Sequence, residues 1–174
     1  MMLLRKKRTR MKTVFSATRI MGSTLALVMF TGCNPFAKSI PPAAERALQE
    51  SPQLTLLSLD PNREMPGARK MEGSTVLGEL QLSPESRERV VQALRTDISH
   101  YYGRSALCFL PRHAIKATTG GTTYYFLVCY ECGNMKIFAN DELLTQIGVS
   151  GSGKIFNEVL SAGNVPLAAL EEKY

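Results

Sequence analysis

The chain has no tryptophan and only two histidines among its 174 residues. Any imidazole chemistry therefore rests on His100 or His113. No apolar stretch reaches the roughly 20 residues that a helix needs to cross a bilayer. There is no Ser-His-Asp order, no paired-carboxylate motif and no complete phosphate cradle, so hydrolytic and phosphoryl-transfer enzymes lose their usual signatures. The body also lacks basic charge. The formal net charge of +6 comes from residues 1–32, which hold seven Lys or Arg and no acid, whereas residues 33–174 hold 14 basic and 15 acidic residues. A body near neutrality has no electrostatic reason to hold a polyanion, and nucleic acid is not an expected partner.

What is present begins with an address. The basic start is followed by IMGSTLALVMF, residues 20–30, a charge-free run the length of a signal-peptide core. Directly after it stands FTGC, Phe30 to Cys33. A second leader-like start lies at Met11. The order of basic segment, apolar core, small residues and cysteine resembles that of bacterial lipoproteins. The resemblance implies removal of residues 1–32 and acylation of Cys33, with acyl chains anchoring the protein to the membrane at about 0.8 kcal/mol per buried CH₂. It places the protein at the cell membrane, facing the periplasm or cell exterior. In a Gram-negative cell, Asn34 in place of an aspartate after the cysteine favours the outer membrane.

Residues 33–53, rich in Pro, Ala and polar groups, read as a tether with a helical turn over 43–49. The length favours one domain after it, at 54–174. LTLLSLDP (54–61) and TVLGELQL (75–82) read as strands, the second with Val76, Gly78, Leu80 and Leu82 on one face. SPESRERVVQALRTDISHYYG (83–103) reads as a helix capped by Ser83, with Pro84 at its first position and Gly103 able to end it. His100, near its C-terminus, reads as a solvated or capping residue. Strands follow over 106–117, 122–131 and 135–139, then a helix over 153–163. The order ββαβββα predicts an α+β domain: a mostly antiparallel sheet of about five strands with two covering helices. GVSGSGK (148–154) imitates a phosphate-binding loop, but Ile155 stands where the Mg²⁺-binding Ser or Thr belongs. It reads as a flexible loop before the last helix, with Ser152 as its N-cap, and nucleotide is not expected.

Chemistry is hinted at in one stretch, CFLPRHAIKATTGGTTYYFLVCYEC, which holds Cys108, His113, Cys129 and Cys132. With Cys33 assigned to lipid, three thiols remain, and several readings stay open. Zinc would use all four residues. On an unbroken strand, however, Cys108 and His113 would lie about 16 Å apart at about 3.3 Å per residue and face opposite ways, so zinc requires Pro111 to break the strand. A disulfide between Cys108 and one member of the C-x-x-C needs a one-residue bulge in the hairpin. A thiol-redox enzyme is the third reading, although this C-x-x-C ends a strand instead of opening a helix. Buried reduced cysteines are the fourth. A turn at Gly120-Gly121 sets Thr119 opposite Thr122 and Ile115 opposite Phe126. This strong hairpin favours Cys108 near the Cys129-Cys132 turn without His113 joining it.

CFLPRHA (108–114), CYEC (129–132) and LLSLDP (56–61) together resemble an uncharacterised bacterial family with CFxPRHA and CFEC strands. The resemblance implies a shared fold over most of 54–168 and no particular activity. It makes Arg112 and His113 the distinctive polar residues beside the cysteines, in the plainest case as a hydrogen-bonded or salt-bridged pair, with Glu131 within reach. The expected function is a non-catalytic binding or structural module for an unidentified protein partner or ligand. The alternative is a zinc-binding domain or a thiol-redox enzyme.

Overall fold

A nine-residue helix, α1 (Pro42–Glu50), opens the described part of the chain. The structure, a computed structural model, describes residues 39–169, so the expected leader at 1–32 and Cys33 lie outside it. Pro42 sits in the first turn, where its missing N–H removes no helical bond. Ala44, Ala47 and Leu48, spaced three and four residues apart, are fully buried. The segment read as a tether is therefore part of the body from Ile40 onward.

Beyond α1 come β1 (Leu54–Asp60), β2 (Lys70–Met71), β3 (Ser74–Gln81), α2 (Pro84–Ser99), β4 (His113–Thr119), β5 (Thr122–Cys129), β6 (Asn134–Ala139), β7 (Glu142–Gly148) and α3 (Lys154–Ala162). The domain is α+β, with a curled sheet of seven strands and three helices in place of the expected five and two. The sheet order is β2-β3-β1-β4-β5-β6-β7 and every neighbouring pair is antiparallel. β3 and β4 flank β1 and run parallel to each other, and α2 makes the crossing between them. The β4–β5 register is the expected one, with Thr119 opposite Thr122 and Ile115 opposite Phe126. Gly120 and Gly121, at φ 55° and 78°, supply the left-handed turn.

The period-two alternation of strands sorts side chains onto two faces. Leu54, Leu56, Ile115, Phe126, Val128 and Ile137 meet all three helices in the main core. Leu57, Leu59, Ala114 and Leu127 form a smaller core on the other face, where Met71, Phe109 and Phe138 pack against them. The face expected for β3 is split. Register slips between Ser58 and Leu59, leaving Leu77 without a partner. The bulge turns Val76 to the small core while Leu80 faces the large one.

The helices are fixed by polar contacts as well as burial. Ser83 accepts a hydrogen bond from the Ser86 N–H at 3.2 Å, as its capping role requires. Arg87 of α2 donates to the carbonyls of Leu48 and Ser51 at 2.7 and 2.6 Å, closing the C-terminal end of α1. Arg95 of α2 ion-pairs with Glu45 of α1. α2 ends at Ser99 with His100 as its cap, four residues short of the expected limit. Among the described residues no helix is long and apolar enough to cross a membrane.

Candidate functional site

The candidate residues meet at one end of the sheet, where β4 begins, β5 turns into β6 and β7 leads to α3. Pro111 decides how the chain enters. Strand β4 starts at His113, not at residue 106, so residues 106–112 form a loop. Proline cannot supply a ladder N–H, and the strand begins only beyond it. Three contacts hold the loop in place. Ala106 N–H donates to the Cys132 carbonyl at 2.8 Å, and Leu59 N–H to the Arg112 carbonyl at 2.9 Å. Phe109 packs into the small core beneath the Lys136 ammonium, 4.3 Å from its ring centroid.

This path sets the sulfur arrangement. Cys129 and Cys132 are joined in a disulfide, and Cys108 is free and exposed. The bond that one of the open readings drew from Cys108 to the C-x-x-C is therefore not the one formed. Cys108 nevertheless arrives where the hairpin argument placed it, with its Sγ 3.3 Å from the Cys132 Sγ. The loop carries it there, with no need for a bulged strand. Two backbone N–H groups point at the sulfurs: Leu110 N–H at the Cys132 Sγ, 3.4 Å, and Cys132 N–H at the Cys129 Sγ, 3.1 Å. Gly133, at φ 66°, makes the tight return, and a Cβ there would run into the backbone carbonyl oxygen of Arg104.

His113 does not join the sulfurs. It pairs with Val128 in the ladder, so it shares a face with Val128 and the helices, while the adjacent Cys129 faces the other way. The zinc arrangement of Cys108, His113, Cys129 and Cys132 is thus divided by the sheet itself. Among the described residues no group of three or more His, Cys, Asp or Glu is placed to hold a metal ion.

On the helix face His113 belongs to a different cluster. Its ring meets Phe156 and Tyr130 edge-on, with centroids 5.3 and 6.0 Å away. Its Nε2 lies 2.8 Å from the Asn157 Oδ1. An amide oxygen can only accept, so Nε2 carries the proton, and Nδ1 is a buried acceptor with no hydrogen-bond partner. Burial pushes the pKa of His113 down to about 4; the Arg112 charge adds to this and the Asn157 bond opposes it. Tyr130 O–H donates to the Asp97 carboxylate at 2.7 Å. Burial raises the Asp97 pKa, while that bond and the His100 charge oppose the shift.

The glycine-rich stretch, expected as a flexible loop, is closely packed. A Cβ on Gly153 would come within 2.8 Å of His113 and 2.9 Å of Tyr130, one on Gly151 within 2.6 Å of Asp97, and one on Gly148 would enter the Tyr101 ring. These glycines let the backbone close over the polar cluster. The N-cap of α3 is Gly153 in left-handed conformation, with no side-chain cap, so Ser152 does not have the capping role expected of it.

Arg112 links the two sides. Its Nε lies 3.2 Å from the Glu131 carboxylate and its Nη1 donates to the Ala169 carbonyl at 2.8 Å. Arg112, His113 and Glu131 line a small cavity of about 70 Å³ with Asn157 and Ser152. Cys132 lines a second, surface groove of about 510 Å³ with Tyr102, Arg104, Ser105 and Ser150, and Glu131 borders both. The sequence reading missed Asp97, Tyr130 and Asn157. Tyr130 was within reach of it: the correct register, carried two residues past Val128, sets Tyr130 on the face of His113. Asp97 and Asn157 come from helices whose rotation no local pattern fixes. No family model, no curated protein and no solved structure matches this chain.

Proposed function

We infer that this protein is a lipid-anchored domain working outside the cytoplasm, held to the membrane by acylation of Cys33, and that its body binds a protein partner or ligand without turning it over. The observation that carries this reading is the Cys129–Cys132 disulfide in a chain whose start has the order of a lipoprotein leader. Disulfides persist in oxidising compartments and are rare in the cytosol. Binding is favoured over catalysis because His113 and the cysteines do not converge: the cavity that Arg112, His113 and Glu131 line holds none of the sulfurs. His113 is sealed under aromatic rings, its Nε2 is committed to Asn157, and the cysteines lie on the opposite face. The groove beside Cys132, lined by Tyr102 and Arg104, is the surface we assign to a partner.

Intact-mass spectrometry of the membrane fraction tests the anchor. The expected mature chain begins at Cys33 and carries acyl chains, and Cys33→Ala moves the protein to the soluble fraction. A mature N-terminus elsewhere, or a Cys33→Ala variant still retained by membranes, overturns the reading.

A further inference from the structure

We propose that Cys108 and the Cys129–Cys132 disulfide form a three-sulfur relay, in which Cys108 is the surface end through which an external thiol exchanges with the buried bond. This inference uses the extracytoplasmic reading only to keep the bond oxidised, and it stands or falls on separate measurements.

The geometry carries it. Residues Cys129 and Cys132 are each 1% exposed, so a thiol arriving from solvent meets Cys108 first. The Cys108 Sγ stands 3.3 Å from the Cys132 Sγ, inside the roughly 3–3.5 Å separation of a near-attack arrangement. The expected leaving atom is already solvated by the protein, because Cys132 N–H points at the Cys129 Sγ from 3.1 Å. A thiolate accepting a backbone N–H is stabilised as a leaving group. Leu110 N–H, 3.4 Å from the Cys132 Sγ, faces the atom under attack. Gly133 and the Ala106–Cys132 backbone bond hold the Cys108 loop over the disulfide. Leu107 and Leu110, both exposed, flank the thiol on the surface.

The exchange balances without any outside oxidant. Cys108 gives its proton to solvent, and its thiolate attacks the Cys132 Sγ. The Cys108–Cys132 bond forms, the Cys129–Cys132 bond breaks, and Cys129 leaves as a thiolate that takes a proton from solvent. The disulfide now has one exposed sulfur. An external thiolate attacks that sulfur and forms a mixed disulfide with Cys108, and Cys132 departs as a thiolate. The bond once buried between Cys129 and Cys132 has then passed to the incoming thiol.

Two variants of the full-length protein in detergent test this, with every cysteine state read by alkylation and peptide mass mapping. Cys33 is read on its own peptide, so failure of the anchor and failure of the relay are distinct results. In Cys129→Ala treated with oxidised glutathione, a Cys108–Cys132 bond is expected. Cys108 and Cys132 left unlinked in protein with a native circular dichroism spectrum overturn the relay. In Cys108→Ser, whose substitution lies in an exposed loop, reduction of the Cys129–Cys132 bond by glutathione is expected to slow at least tenfold. A rate equal to that of the parent overturns the relay.

Discussion

His113 shows how a single buried imidazole ties stability to pH. Its folded pKa is about 4, against an ordinary value of 6.5. Between these values the unfolded chain binds a proton that the folded chain refuses, so stability rises with pH across the window. The contribution is complete above pH 6.5 and is lost as pH falls towards 4. The shift corresponds to about 3 kcal/mol. Urea unfolding at pH 7 and pH 4 checks this: the parent should lose about 3 kcal/mol more than His113→Gln over that interval. Equal losses would mean that the folded state admits the proton. The same burial makes His113 a poor general base at neutral pH, because its one free lone pair sits on an atom closed off from solvent. The neighbouring Arg112–Glu131 ion pair was legible in the sequence, since the hairpin register brings the two close. The sealing of His113 was not, because Phe156 and Asn157 lie more than forty residues further along the chain.

At the scale of elements, two glycines in left-handed conformation separate turn strain from packing. Gly120, at φ 55°, has open space around it, whereas a Cβ on Gly133 would strike the Arg104 carbonyl. Gly120→Ala should cost about 1 kcal/mol from backbone strain alone. Gly133→Ala adds a clash with a backbone that cannot yield, for a total of about 2–4 kcal/mol. It should also speed hydrogen exchange at the Ala106 amide, which donates to the Cys132 carbonyl beside it. Unchanged exchange there would mean that Gly133 does not position the loop. The elements differ in how far local sequence specified them. The β4–β5 hairpin and α2 were legible because a Gly-Gly turn and a Ser-Pro cap are short-range signals. β7 escaped notice although Asn140 and Asp141, at φ 47° and 70°, make a hairpin turn of their own. Its alternation is broken where Leu144 drops out of the register, and Leu143 and Leu144 are both exposed on the sheet edge. The loop over 106–112 could not be placed from sequence, since its path depends on Phe109 finding the small core.

At the scale of the molecule, α1 decides where the domain starts. Leu48 is fully buried in the main core, and Leu48→Ala should cost about 2–5 kcal/mol by denaturant unfolding. A chain beginning at residue 54 loses that core contribution and leaves the Arg87 guanidinium without its two carbonyl partners. It should show no cooperative thermal transition, whereas a chain beginning at residue 39 should melt cooperatively. Equal cooperativity in the two would make α1 an accessory. The helical turn expected over 43–49 is a nine-residue helix; the Pro41-Pro42 pair made the segment read as a tether, because two prolines suggest extended chain, yet a proline in the first turn is compatible with a helix. The position of α1 would also limit how far the protein could work from the proposed anchor. If Cys33 holds the lipid, residues 33–39 are all that separate membrane from fold. Seven residues span at most about 25 Å at about 3.6 Å each. A tether running to residue 53 would have reached about 75 Å on the same measure. On that reading the leash is about a third of the length that a tether to residue 53 would have had, and the body would work close above the bilayer. A partner of a protein so anchored would have to be a neighbour on the same membrane or something that diffuses down to it.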